Sequence, residues 1–368
     1  MKSPFNKRVF FCYPCYECYR LIWGIYITFA PTGLWAVGGE PKNQEESKLL
    51  KRIAVMTSGG DCPGMNAAIR SVVRVALREG AEVWGIYNGY SGMTENIMFQ
   101  MDFRSVGDIL HRGGTVLGTA RCEEFKTPEG RLLAVNNMRN RGIEGVVVIG
   151  GDGSLRGAKV LSEMGVAVVG LPGTIDNDIW GTDYTIGCDA AVNTVVDAIN
   201  KLRDTASAHG RVIVIEVMGR KSGWIALLAG LAGGAEQILV PEMSINIEDV
   251  CNQLRQSREI GKRYSIVVVA EGASSGAAIG SAIAAGTGIE TRVSVLGHIQ
   301  RGGAPTVFDR ILASTLGERA ALALLSGLSG AMFGSWAGVV IAVDLADVVG
   351  HKKTIDTSMF RLAAVLSQ

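Results

Sequence analysis

The chain reads VAVVGLPGTIDND from Val166 to Asp178. Its apolar first half, Val166–Leu171, is typical of a strand that is buried on both faces. Two carboxylates, Asp176 and Asp178, follow closely, and the hydroxyl of Thr174 precedes the first of them by two residues. Clustered carboxylates after a buried strand suit a polar reaction centre better than they suit packing. The stretch therefore predicts a buried strand that ends in a reactive loop.

Short apolar runs of the same kind recur from Lys51 onward and alternate with helical stretches, for example a helix predicted from about Met65 to Glu79. Such an alternation predicts an α/β fold, in which a parallel sheet carries helices on both faces. The other predicted strands are Ile53–Met56, Val83–Ile86, Gly145–Ile149, Val212–Ile215 and Ile266–Val269.

The bulk composition is that of a globular protein with many turns. The 368 residues are 48% hydrophobic and 19% charged, include 48 glycines and carry a net charge of +1. Because neither the net charge nor any basic run attracts polyanions, we expect no nucleic-acid or membrane partner. Cysteines are scattered through the body of the chain, at Cys62, Cys122, Cys188 and Cys251. That scatter favours reduced thiols in a cytoplasmic protein over a disulfide framework.

Residues 1–50 differ from the rest in composition. The apolar run Leu21–Ala30 loosely resembles a signal peptide, but it is too short to span a bilayer. Cys12, Cys15 and Cys18 have the spacing of metal ligands, yet no fourth cysteine or histidine lies nearby. We interpret the segment as a disordered or poorly packed extension. A targeting signal and a misassigned start remain open alternatives.

Two further predicted strands end in glycine-rich turns. The first turn, Thr57–Gly64, has glycines that let backbone N–H groups approach a phosphate at a helix N-terminus. The second turn, Gly150–Ser154, holds Asp152, which can bind Mg²⁺ together with phosphate oxygens. The alternative for each is a structural turn, with Ser154 as a helix cap. Because ligands bind at the carboxyl ends of parallel strands, we expect these turns and the Asp176 loop to face one crevice.

Within the third strand end, Asp176 is a candidate general base for an attacking hydroxyl. Asp178 is a candidate to orient the reactants or contact a metal, and Thr174 to bond a phosphate. The alternative is a turn that is rich in Asp and Asn only because these residues favour turns. Candidate phosphate-binding cations are Arg121, Arg211, Arg220, Arg292 and Arg301. The alternative for any one of them is a solvated surface charge, but several near strand ends suggest two phosphorylated partners.

Five motifs together resemble the bacterial-type 6-phosphofructokinases from about Lys51 to the C-terminus. The resemblance implies phosphoryl transfer from ATP, with Mg²⁺, to the 1-hydroxyl of fructose 6-phosphate in glycolysis. The motifs are Thr57–Arg70, Gly150–Ser154, Pro172–Asp178, Met218–Arg220 and Val295–Gly303.

The resemblance also implies roles for particular residues. Asp176 would be the catalytic base, helped by Thr174, Asp178 and Arg220, and Asp152 would hold Mg²⁺. Residues that would line the ATP site are Gly60, Tyr90, Arg121, Cys122, Asp152, Gly153 and Ser154. Residues that would hold fructose 6-phosphate are Thr174, Ile175, Asp176, Met218, Gly219, Arg220, Glu271, His298 and Arg301.

The resemblance extends to assembly, regulation and choice of donor. Arg211 and Arg292 would reach the substrate of a neighbouring subunit, which implies a homotetramer. Residues at allosteric effector positions are Arg70, Arg74, Arg203, Glu236 and Lys262. Ile260 stands where the family often has a basic residue, so regulation by ADP or phosphoenolpyruvate stays open. Pyrophosphate-using members carry Asp in place of Gly153 and Lys in place of Gly173, so the glycines here favour ATP.

Two Rossmann-like domains with the active site in the cleft between them are implied by the same resemblance. The nucleotide-binding domain would comprise residues 51–187 and 299–350, and the sugar-phosphate domain residues 188–298 and 351–368. The alternatives are a pyrophosphate-dependent enzyme and a non-catalytic regulatory subunit. Loss of the acidic or arginine groups would mark the latter, but Asp152, Asp176, Asp178 and Arg220 are all present.

Overall fold

A computed structural model describes residues 27–29, 35–37 and 49–366. Residues 1–47 form one compact unit and residues 48–368 another. In the first unit, strands β1 (Ile27–Phe29) and β2 (Trp35–Val37) pair antiparallel. The predicted disorder, the possible leader and the cysteine triplet of this unit otherwise lie outside the described residues.

The second unit is an α/β fold built around two sheets, as the apolar runs predict. Its strands are β3 Arg52–Ser58, β4 Glu82–Ile86, β5 Met98–Met101, β6 Gly145–Gly150, β7 Ala167–Pro172, β8 Val212–Val217, β9 Gln237–Leu239, β10 Ser265–Ala270, β11 Thr291–Val295, β12 Ala331–Trp336 and β13 Val339–Asp344.

Helices alternate with most of these strands. They are α1 Met65–Arg78, α2 Tyr90–Thr94, α3 Pro128–Asn140, α4 Asp152–Glu163, α5 Cys188–His209, α6 Trp224–Ala232, α7 Ile247–Glu259, α8 Gly276–Thr287, α9 Val307–Leu325, α10 Leu345–Gly350 and α11 Thr357–Leu366. Two 3₁₀ turns span Glu124–Lys126 and Gly297–Arg301. The helix predicted from about Met65 to Glu79 is thus confirmed.

The large sheet has the strand order β13-β12-β7-β6-β3-β4-β5 and is buried on both faces. Alternate residues of β3 enter different cores: Ile53 and Val55 pack on one face, Ala54 and Met56 on the other. This alternation follows from the two-residue period of a strand. It explains why the run is continuously apolar rather than amphipathic.

The large sheet is parallel in its interior, as predicted, and gains one antiparallel strand at each edge. β5 runs antiparallel to β4, and β13 runs antiparallel to β12. Only Ala337 and Gly338 connect β12 to β13, with φ of 49° and 79°. Positive φ at both central residues defines the tight hairpin turn that matches the twist of two antiparallel strands. The sequence Ala-Gly gives little warning of such a turn.

The small sheet has the order β11-β8-β10-β9 and is parallel throughout. It contains the predicted runs Val212–Ile215 and Ile266–Val269, which are buried. No helix among the described residues is long and apolar enough to cross a membrane.

Candidate active site

The three glycine-rich strand ends of the large sheet lie side by side. β7, β6 and β3 are consecutive in the sheet, and their last residues align as Pro172, Gly150 and Ser58. A side chain on Gly151 would lie 3.5 Å from Thr174 Cβ. The three strand ends therefore share one carboxyl edge, as expected, and Thr174 lies beside the start of α4.

The loop that carries the two carboxylates closes on itself. At its neck, the Thr174 amide donates to the Ile186 carbonyl at 3.1 Å, and Thr185 Oγ1 donates to the Thr174 carbonyl at 2.6 Å. Between the carboxylates, Asn177 has a φ of 50° and is buried. Its side chain accepts from the Thr185 amide at 3.0 Å and donates to the Asp183 carbonyl at 3.2 Å. Asn tolerates this left-handed conformation better than most residues do.

The small sheet also gathers predicted site residues at its strand ends. The Glu271 amide donates to the Val217 carbonyl at 2.8 Å, so the ends of β10 and β8 lie together. Buried Gln300 accepts from the Met218 amide at 3.2 Å through Oε1 and donates to the Gly297 carbonyl at 3.0 Å. These bonds hold the turn with His298 and Arg301 against Met218 and Gly219.

The two groups of strand ends contact each other. Ser222 Oγ, which follows Arg220 by two residues, donates to the Asp176 carbonyl at 2.9 Å. Arg301 Nη1 donates to the Asp61 carbonyl at 3.1 Å, and any side chain at Gly60 would collide with this guanidinium. The loops of both sheets therefore meet beside Asp176, which is half-buried.

Burial raises the pKa of Asp176 above its usual range, and Glu271 adds to the rise, while Arg301 and Arg220 act in the opposite direction. Burial also raises the pKa of Asp178 to about 6, and the neighbouring charge of Asp176 contributes. A carboxylate that is desolvated yet still ionises near neutral pH is a better proton acceptor than one in water.

Asp178→Asn is expected to stabilise the fold at pH 7.5 by about 1–2 kcal/mol, because it removes a buried charge. The folded state holds the Asp178 proton more tightly than the unfolded chain, so stability falls as pH rises from about 4 to about 6. The gain from Asn should therefore vanish near pH 4 and reach its plateau above pH 6. Urea unfolding of the parent and of Asp178→Asn across this pH range measures the difference in their free energies of unfolding. A difference that does not change with pH would contradict the raised pKa of Asp178. The control is Asp204→Asn, at an exposed position on α5.

The predicted ATP-site residues fall into open and buried groups. A side chain on Gly153 would meet nothing within 4 Å, so space is open beside the start of α4. Tyr90, by contrast, is 6% exposed, and its hydroxyl donates to the Ser154 carbonyl at 2.7 Å. Tyr90 thus supports Ser154 from inside the core. Cys122 Sγ accepts from the Phe125 amide at 3.4 Å, next to the same core.

The surroundings of Asp152 bear on whether it can bind Mg²⁺. Its carboxylate is half exposed at the first residue of α4 and pairs with Arg156 Nε at 3.0 Å. Its charge also raises the pKa of Asp178, and such repulsion is what a divalent cation would relieve. No group of three potential ligand side chains occurs among the described residues. Asp152 fits Mg²⁺ that takes its remaining ligands from phosphates and water.

Arg211 and Arg292 are not brought to this site. Arg211 precedes β8, and Arg292 is the second residue of β11, both at the amino ends of strands whose carboxyl ends face the cleft. A six-residue strand is about 20 Å long, so neither guanidinium reaches Asp176 of its own chain. Both pair with Glu290, at 2.8 and 2.6 Å.

The candidate effector residues lie in two groups. Arg70 and Arg74 are neighbours on α1, and burial together with Arg74 lowers the pKa of Arg70. Lys262 pairs with Glu236 at 2.8 Å, and Arg203 donates to the Gly233 carbonyl close by. Ile260 is 76% exposed.

Three residues that hold the site together were missed by sequence reasoning: Asn177, Ser222 and Lys353. Asn177 could have been recognised from the sequence as a candidate for the left-handed conformation of this loop, because Asn is enriched at positive φ. The other two contact the Asp176 loop from distant parts of the chain, and nothing local in the sequence marks them. Lys353 Nζ donates to the Asp183 carbonyl at 2.6 Å.

The site combines glycine-rich turns at helix N-termini with carboxylates and arginines around one cleft. This combination is typical of an α/β protein that binds phosphate groups. The phosphofructokinase family model matches residues 52–324. The ATP-dependent 6-phosphofructokinase of Bacillus licheniformis is 57% identical, and that of Bacillus pumilus is 56% identical. Each alignment spans 86% of this chain and 100% of the relative. The chain belongs to the phosphofructokinase family.

A solved phosphofructokinase structure from Saccharomyces cerevisiae has the same fold. It superposes with a TM-score of 0.78 at 35% identity and covers 86% of this chain. This chain spans 48% of the length of the yeast chain. The resemblance to the family, first drawn from five motifs, is therefore confirmed along most of the chain.

Proposed function

We propose that this protein phosphorylates fructose 6-phosphate at its 1-hydroxyl with ATP and so produces fructose 1,6-bisphosphate in glycolysis. The observation that carries the proposal is the setting of Asp176. This half-buried carboxylate lies at the edge of the large sheet, and the charges of Arg220 and Arg301 act on it from the small sheet. The names of the Bacillus relatives support the substrate and the donor.

In the proposed reaction, Asp176 accepts the proton of the sugar 1-hydroxyl as that oxygen attacks the γ-phosphorus of ATP. The bond from the γ-phosphorus to the β–γ bridging oxygen breaks, and ADP leaves. Arg220 stabilises the charge that develops on the transferred phosphoryl group. Thr174 donates a hydrogen bond to the same group, and Asp178 orients the reactants. Asp152 would hold Mg²⁺, which neutralises phosphate charge when bound. Arg301, His298 and the other small-sheet residues would bind the sugar phosphate.

The experiment that tests the proposal is a coupled assay with fructose 6-phosphate and either ATP or pyrophosphate as donor. ATP should support turnover and pyrophosphate should not. Turnover with pyrophosphate alone would establish the alternative donor. No turnover with either donor would favour a non-catalytic subunit. No observation in the described site supports that alternative.

We also propose a homotetramer in which Arg211 and Arg292 complete the sugar-phosphate site of a neighbouring subunit. Their position at the far end of the small sheet supports this, since they cannot serve their own site.

The domain boundaries at 187/188, 298/299 and 350/351 stay predictions, as does the effector site. Four unpaired thiols, Cys62, Cys122, Cys188 and Cys251, support a reducing compartment such as the cytoplasm.

Subunit complementation should reveal the shared site. Asp176→Asn and Arg292→Ala subunits, each nearly inactive alone, are expected to recover activity when refolded together. Random pairing would restore about a quarter of the sites, because one subunit supplies the carboxylate and its neighbour the guanidinium. The matched control is a mixture of Asp176→Asn and Arg220→Ala subunits. Both residues belong to the same subunit's part of the site, so this mixture should not recover activity. Equal recovery in both mixtures, or none in the first, would contradict the shared site.

A further inference from the structure

The short segment between α10 and α11 passes from one sheet to the other. α10 packs against α4 beside the large sheet, whereas α11 packs against α6 beside the small sheet. The connecting segment, His351–Asp356, contains no helix or strand. Its contacts therefore bear on how the two halves of the cleft are held.

Lys353 contacts both halves. Its Nζ donates to the Asp183 carbonyl at 2.6 Å, in the loop that follows β7. The same ammonium group lies 4.9 Å from the centre of the Trp224 ring, at the first residue of α6. A cation over an indole face is attracted to the ring electrons, most strongly where water is partly excluded. Lys353 is half-buried, so both contacts are partly shielded from solvent.

The carbonyl that Lys353 binds is also the acceptor for Asn177. Asn177 sits between the two carboxylates in a left-handed conformation, so its side-chain bonds determine how the loop presents Asp176 and Asp178. Lys353 thereby acts on the loop at the point that fixes its central residue. A neutral amide alone would hold this carbonyl more weakly than an ammonium group does.

A second contact of the same segment is independent of Lys353. The His351 ring stacks on Trp180 of the carboxylate loop, with the ring centres 4.8 Å apart. The segment therefore packs against the loop at two places, Trp180 and Asp183. On the other side, Trp224 follows Arg220 by four residues and begins α6, directly after the turn whose Ser222 donates to the Asp176 carbonyl.

We propose that Lys353 is a positioning residue for phosphoryl transfer, which ties the loop bearing Asp176 and Asp178 to the turn that bears Arg220. The proposal rests on the proposed function for its catalytic readout. It assigns to the C-terminal segment a role in aligning the base with the arginine across the cleft, without contact to either substrate.

The charges around Lys353 support the assignment. The carboxylates that face it are Asp183 and Asp178, and their charges favour the ammonium form. The Cys188 thiol also faces it but stays neutral, because burial raises the pKa of Cys188 to about 12. Burial nevertheless lowers the pKa of Lys353 to about 8. The group stays mostly protonated at pH 7, so its donor and its charge are both available.

The test compares Lys353→Met with Lys353→Arg and with Lys352→Met. Methionine keeps an apolar stem against Trp224 but removes the charge and the donor. Arginine can donate and stack on the indole, so it should restore much of the function. Lys352 is the exposed neighbouring lysine and serves as the matched control.

We expect kcat of Lys353→Met to fall about tenfold, because a small misalignment of reacting groups is enough to slow transfer. The KM values for both substrates should stay within about twofold. Lys353→Arg should recover at least half of kcat, and Lys352→Met should match the parent. In the protein without substrates, backbone amides of residues 174–186 should exchange hydrogen for deuterium faster in Lys353→Met alone.

An unchanged kcat together with unchanged exchange would overturn the proposal. So would an equal loss in Lys352→Met, or failure of Lys353→Arg to restore both readouts. If Lys353→Met loosens the whole fold, hydrogen exchange will rise throughout the chain. The comparison of Lys353→Arg with the parent then tests the proposal, because arginine should keep both kcat and the exchange of residues 174–186 near the parental values. Inactivity of the parent with both donors would refute the proposed function, whereas the exchange experiment would still test the positioning role.

Discussion

Asp176→Asn should bind fructose 6-phosphate nearly as well as the parent and lose turnover by about 10³–10⁴-fold. Asparagine preserves the size of the side chain, but it cannot accept the proton from the attacking hydroxyl. The loop should keep its shape, because Ser222 bonds the backbone carbonyl of residue 176 rather than its side chain. Steady-state kinetics with saturating ATP, together with direct titration of the sugar phosphate, separates the two effects.

The control for this variant is Asp204→Asn, which removes an exposed carboxylate from α5 and should leave kcat within twofold. The pH profile adds a second check. Because the pKa of Asp176 is raised by burial, kcat/KM of the parent should decline on the acidic side as this group takes up a proton. A variant that retains more than a tenth of the parental kcat would show that another group is the base.

The parts of the site that could be predicted from sequence are those that a single strand end encodes. Each apolar run fixed a buried strand, and each following glycine or aspartate marked its carboxyl end. Parallel strands place those ends at one edge, so the neighbourhood of Gly59, Asp152 and Thr174 followed from local patterns. The register of β3, β6 and β7 confirms that reasoning.

The parts that could not be predicted depend on long-range contacts. Ser222 and Asp176 are 46 residues apart, and Lys353 and Asp183 are 170 apart, so no local period links them. The antiparallel edge at β13 depends on Ala337, whose positive φ is not a preference of alanine. In each case the feature is determined by tertiary structure and not by the local sequence pattern.

The choice of phosphoryl donor should depend on the space beside Gly153. A Cβ atom there would meet nothing within 4 Å, so the surrounding protein leaves room for a side chain at this position. Gly153→Asp is therefore expected to fold normally and to lose ATP-dependent kcat/KM by 100-fold or more, since a carboxylate would stand where the nucleotide phosphates approach α4. Juxtaposed like charges destabilise binding by several kcal/mol, which corresponds to about that factor.

Gly153→Asn separates charge from bulk, because its side chain has the size of aspartate without the negative charge. If repulsion dominates, the asparagine variant should keep at least tenfold more ATP activity than the aspartate variant, and added salt should narrow the gap. Equal losses would mean that bulk alone excludes the nucleotide. Gly173 differs, because a side chain there would lie 3.1 Å from Ile149 and 3.3 Å from Met65. Gly153→Asp alone should therefore not produce an efficient pyrophosphate-dependent enzyme, since a lysine at residue 173 would first require the core beneath it to move.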